Sequence, residues 1–229
     1  MKRYLPALIL IFFISCSPVR TYRNLPEVRA WETEIQKFET LDKNNDYPEN
    51  SVLFTGSSSI RLWESLSEDM SPYPVIQRGY GGAKLSDYLV YADRIIYPHK
   101  ASAIVIFIAN DISGSESDKS PRQVAKLFKH LVKLIRKEYP DVPVFWISIT
   151  PSMSRWAVWP KIREANNLIR DYCEKNNGTY FIATESLFLN ERGTPRNELF
   201  QPDLLHLNPG GYKIWTGIIK EEIDRVLMQ

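Results

Sequence analysis

Histidine and cysteine are scarce in this chain, with three and two among 229 residues. Two cysteines cannot build a disulfide framework, and no Cys/His cluster has the spacing of a zinc site. Net charge is lacking too. The 29 Lys and Arg, less Lys2 and Arg3 at the start, leave 27 against 27 Asp and Glu. A balanced chain presents no basic footprint for nucleic acid, which binds by replacing counterions. Long apolar runs are missing as well: Leu5 to Ile14 is about ten residues, half of what a bilayer-spanning helix needs. No GxxxxGK[ST] loop, GxGxxG turn or GxSxG elbow occurs, which removes the commonest nucleotide-binding and α/β-hydrolase signatures. No metal and no cofactor is expected.

What is present begins with an address. Met1-Lys2-Arg3 leads into the short apolar run, which ends Phe13-Ile14-Ser15-Cys16. This resembles the lipobox of bacterial lipoproteins, in which the cysteine is lipidated and becomes the new N-terminus. The resemblance implies a signal peptide over residues 1–15, lipidation at Cys16, a polar tether over 16–26 and a lipid-anchored protein of the bacterial cell envelope. Membrane association would then come from Cys16 alone, since no basic amphipathic helix is evident. Cys173 would have no partner and reads as a buried helical thiol.

From residue 27 to 229 one domain is expected. Helical spacing of Trp31, Ile35, Phe38 and Leu41 predicts an amphipathic helix over about 28–41. Apolar runs at Val52–Thr55, Val75–Gln77, Ala103–Ile108, Val144–Ile149 and Thr179–Ala183 predict five strands, with helices through Ile96, after Ser120-Pro121, over about 162–174 and from about 212 to 227. The alternation predicts an α/β fold, a three-layer α/β/α sandwich around a mainly parallel sheet.

Ligands of such sheets bind beyond the carboxyl ends of the strands. General-base chemistry near neutral pH favours histidine, and elimination is feasible here. His130 lies on the polar side of its helix and His99 precedes the third strand, at the wrong end. His206 sits in a loop at the ligand end, with Asp203 three residues before it. Gly56-Ser57-Ser58-Ser59 ends the first strand, so one of its hydroxyls can serve as a nucleophile activated by His206, with Asp203 stabilising the imidazolium. The Gly81-Gly82 backbone and the Asn110 side chain stand at neighbouring strand ends, where an oxyanion would need donors.

In order along the chain, Gly56–Ser59, Gly79–Gly82, Ala109-Asn110-Asp111 and Asp203-Leu-Leu-His206 resemble the blocks of the SGNH/GDSL hydrolases. Ser58-Ser-Ile-Arg-Leu-Trp63 and Trp156–Asn166 resemble its lipase/acylhydrolase subgroup. The resemblance runs from about Val52 to the C-terminus. It implies a flavodoxin-like sheet, Ser58 as nucleophile, His206 as base, Asp203 orienting it, and an oxyanion hole of the Ser58 and Gly82 amides, with Gly81 as alternate, and Asn110. It further implies a serine esterase cleaving a short acyl group, such as acetyl on a glycan, through an acyl-enzyme. An acyltransferase or an impaired glycan-binding module is the alternative. Two departures stand out: Ser57 replaces the first block's Asp, and Ile108 replaces the glycine two residues before Asn110. Trp156 and Trp159 are candidates either for a substrate wall or for packing. The sequence leaves the oligomeric state open.

Overall fold

The structure is a computed structural model, described over residues 18–228. Cys16 and the apolar run before it lie outside the described residues. Five parallel strands, β1 Ser51–Gly56, β2 Val75–Gly79, β3 Ala101–Phe107, β4 Val144–Ile147 and β5 Thr179–Ile182, form one sheet in the order β2-β1-β3-β4-β5. β1 is buried throughout and β3 at every position but Ser102, as strands covered on both faces require.

The helices are α1 Pro18–Tyr22, α2 Pro26–Arg29, α3 Glu32–Asn44, α4 Ser58–Arg61, α5 Leu66–Asp69, α6 Leu85–Ile96, α7 Pro121–Glu138, α8 Trp159–Glu174, α9 Glu185–Phe188 and α10 Pro209–Leu227. Helices α6, α7 and α8 pack side by side, as three successive right-handed crossovers place them on one face of the sheet. The first crossover, β1 to β2, runs in the opposite direction along the sheet with the same hand, so α4 and α5 cover the opposite face, where α10 joins them. Trp63 fills that second layer: it stacks on Tyr212 with ring centroids 5.1 Å apart and meets Trp215 and Phe54 edge-on. The three-layer α/β/α reading therefore stands.

Helix α7 starts after Ser120 as the sequence predicts: the Ser120 hydroxyl accepts from the Gln123 N–H while the Gln123 side chain accepts from the Ser120 N–H. Other boundaries differ from the sequence reading where capping overrides periodicity. Helix α10 starts at Pro209 rather than Tyr212, because Asn208 caps it by accepting from the Gly211 N–H. The single helix expected over 28–41 is instead α2 and α3, broken at Ala30–Trp31, and Leu41 is exposed. Residues 18–22, expected as polar tether, form α1 and pack on α6.

Candidate functional site

The strand order reverses between β1 and β3, and the crevice at such a switch point is the natural ligand position. Ser58 follows β1 and Asn110 follows β3, so both stand at its rim. The chain leaves β1 through Gly56, at φ +130°, where a Cβ would lie 2.0 Å from the Phe107 carbonyl oxygen. Only glycine allows that approach. The Ser57 N–H then donates to Phe107 O at 2.8 Å, and α4 starts at Ser58. Ser57 and Ser59 are buried at 1% and 7%, whereas Ser58 is half-buried and faces the cavity.

His206 arrives from the other end of the chain. Its Nε2 lies 2.9 Å from Ser58 Oγ, and its Nδ1 lies 2.6 Å from Asp203 Oδ2. The other Asp203 oxygen accepts from the His206 and Leu205 N–H groups at 3.0 and 2.9 Å. Burial opposes ionisation of Asp203, but these N–H groups and the imidazole outweigh it and hold the carboxyl below the usual range. The turn is built to last: Gln201 N–H donates to His206 O, Leu204 adopts φ +54°, and Ser154 N–H ties the loop after β4 to Leu204 O. Tyr212 Oη donates to Ser59 O at 2.8 Å, which joins α10 to the serine turn.

The cavity at Ser58 is about 20 Å³, room for the centre of roughly one water or a methyl group. Phe107, Ile149, Phe200, Leu207 and Trp215 form its apolar walls, and Asn110, Thr150, Ser152 and Arg155 its polar ones. Ser152 Oγ is buried without a hydrogen-bond partner among the described residues.

The sequence-derived residues distribute unevenly around this cavity. Asn110 is in it, and Ile108 does not disturb the strand end: it is a buried core residue, and Asn50 and Leu204 are the described non-glycine residues with positive φ. Gly81 and Gly82 precede α6; Gly82, at φ +77°, lies against Trp31 and lines a neighbouring depression with Tyr22, Lys84 and Lys119. Trp156 and Trp159 stack on each other with centroids 6.0 Å apart, Trp159 is buried, and the cavity walls are other residues. Packing is therefore what Trp159 provides, while Trp156 is half-buried.

His99 and His130 lie elsewhere. His99 is buried at the opposite end of the sheet beside Tyr47 and Asp42, and burial lowers its pKa. His130 stays on α7, lowered by partial burial and by Lys133 and Lys126. Cys173 is buried and free, its thiol pushed up to about 12 by burial, so it is inert as a nucleophile. No group of three or more His, Cys, Asp and Glu able to hold a metal occurs among the described residues.

Sequence reasoning missed Arg155 and Ser152. Both lie in a segment read for its tryptophans; the available signal was a lone cation in an apolar loop at the carboxyl end of a strand.

A family model described as the GDSL-like Lipase/Acylhydrolase family matches residues 51–214. No curated protein sequence matches. Among solved structures, a GDSL-like lipase from Bacteroides thetaiotaomicron superposes with a TM-score of 0.70 at 19% identity, covering 83% of this chain and 97% of that one. A lipase/acylhydrolase from Enterococcus faecalis gives 0.62 at 20% identity, over 77% and 96%. A carbohydrate esterase family 3 protein from Talaromyces cellulolyticus gives 0.60 at 14% identity, over 78% and 98%. At such identities these likenesses speak for the fold.

Proposed function

The chain belongs to the GDSL-like lipase/acylhydrolase family, and from that premise we propose that it is a serine esterase that removes a short acyl group, acetyl in the first instance, from an alcohol. The observation that carries this reading is the unbroken relay Ser58 Oγ–His206 Nε2, His206 Nδ1–Asp203 Oδ2, at 2.9 and 2.6 Å, opening on a cavity of methyl size. Ser58 Oγ attacks the ester carbonyl as His206 Nε2 takes its proton, and Asp203 stabilises the imidazolium. Charge on the carbonyl oxygen is met by the Ser58 amide at the start of α4 and the Asn110 side chain, both at the cavity; the Gly82 amide, which the family resemblance adds as a third donor, lines the neighbouring depression. Collapse expels the alcohol, protonated by His206. Water, deprotonated by the same imidazole, then releases the acid from the acyl-enzyme.

The small cavity favours acetyl over long chains, and the carbohydrate esterase neighbour makes an acetylated glycan a reasonable source of the alcohol. The lipobox-like Phe13–Cys16 supports a place in the cell envelope with lipid on Cys16. The test is hydrolysis of p-nitrophenyl acetate against longer esters by the domain lacking residues 1–16, alongside Ser58→Ala and His206→Ala. Turnover that falls with chain length and vanishes in both folded variants supports the proposal. A domain with no activity above the variants and no fluorophosphonate labelling of Ser58 overturns it.

A further inference from the structure

Among the described residues, Arg155 is the one buried arginine or lysine in the cavity wall, 8% exposed. Its guanidinium donates through NH2 to Asn110 Oδ1 and through NH1 to Ala109 O, both at 2.6 Å. Asn110 Nδ2 in turn donates to Ala83 O at 3.0 Å. A guanidinium can only donate and a backbone carbonyl can only accept, so these two partners together permit one orientation of the Asn110 amide. One Nδ2 hydrogen is taken by Ala83. The other belongs to a side chain that lines the cavity at Ser58.

Three loops are thereby fixed to one another: those after β2, β3 and β4, through Ala83, Asn110 and Arg155. The acceptors holding Arg155 are neutral, and Asp118 and Asp111 act on it only at longer range. An arginine keeps its proton even when burial disfavours it. Its charge on Oδ1 withdraws electron density across the amide and makes the free Nδ2–H a stronger donor.

Resting on the serine-hydrolase reading, we propose that Arg155 is a positioning residue: it locks and polarises Asn110 so that the side-chain amide donates to the oxyanion of the acyl-transfer transition state. The function belongs to the transition state, so kcat should carry the effect and KM should not.

The test is a double-mutant cycle on p-nitrophenyl acetate hydrolysis with Arg155→Met and Asn110→Ala. Arg155→Met is expected to lower kcat on the order of 10–100-fold with KM within about twofold, less than the roughly 10²–10³-fold cost of losing an oxyanion donor outright, because the Asn110 amide itself remains. In the Asn110→Ala background the same change should cost less than about threefold, because its target is gone. Arg155→Lys, which keeps the charge and loses the fork, should recover part of the loss, and it carries the cycle where Arg155→Met does not fold. An equal loss in both backgrounds, or a loss carried by KM, overturns the positioning role. A parent domain that neither turns over ester nor takes up fluorophosphonate defeats the hydrolase reading instead. The crystal structure of the Arg155 variant then decides: an Asn110 amide still donating to Ala83 O refutes the locking role, and a rotated one supports it.

Discussion

A methyl group at Gly56 would collide with the backbone of β3, at a φ that side chains rarely tolerate. Gly56→Ala is therefore expected to cost about 3 kcal/mol or more in urea unfolding, and to lower fluorophosphonate labelling of Ser58 beyond what the stability loss explains. Asp203 acts more locally. Asp203→Asn removes the charge that orients the His206 ring and should lower kcat by on the order of 10²–10⁴ while leaving the fold intact by circular dichroism. His206, with Asp203 beside it, was legible because histidine is so rare that two of three could be set aside by position, whereas Ser58 was singled out among three serines only by the family resemblance. Arg155 was not legible. Its value lies in Ala109 and Asn110, about 45 residues earlier in the chain, and no local pattern announces a partner at that distance. The same holds for Trp159, whose position beside the strand end suggested a wall, whereas the turn of α8 directs it into the core.

At the scale of elements, strands were easier to read than the pieces between them. A buried parallel strand is an unbroken apolar run, and β1, β3 and β4 are nearly that; α4, α5 and α9 are four residues each, too short for any periodicity to show. The start of α6 carries a measurable consequence of its burial. Asp87, closing a turn with the Lys84 N–H, is lifted by burial to about 7, and fully buried Asp111 is raised by the same cause. A carboxyl with a higher pKa folded than unfolded holds its proton more tightly in the native state. Its contribution is complete below about pH 4 and is lost as the pH rises to about 7. Melting temperature should accordingly decline across that window, and Asp87→Asn, which cannot ionise there, should flatten the decline. Identical slopes in variant and parent would refute the assignment. Asp111, raised by burial and opposed by Lys119, contributes in the same direction.

At the scale of the whole molecule, α1 and α2 pack against α6, so the chain reaches the domain from the N-terminal side already docked rather than trailing freely. Trp31, just beyond them, closes over Gly82 and meets Tyr80 with ring centroids 5.1 Å apart. The lipid proposed on Cys16 would therefore hold the domain close to a bilayer, two residues from the start of α1. Cys16→Ala in the full chain should shift the protein from the detergent phase to the aqueous phase in a Triton X-114 partition without changing ester turnover. Retention of the variant in the detergent phase would point to another membrane contact.

Ser58 and His206 stand 148 positions apart, and the chain between them spans every strand after β1. The hydroxyl is made early in synthesis and the imidazole almost last, after the sheet that must carry them both. Until β5 has joined its neighbour and the final helix has closed on the serine turn, the hydroxyl is an ordinary alcohol. On the proposed mechanism, newly made chains, and fragments clipped before residue 206, lack the general base and would leave esters around them intact, so the length of the chain would itself be the safety catch of the reaction.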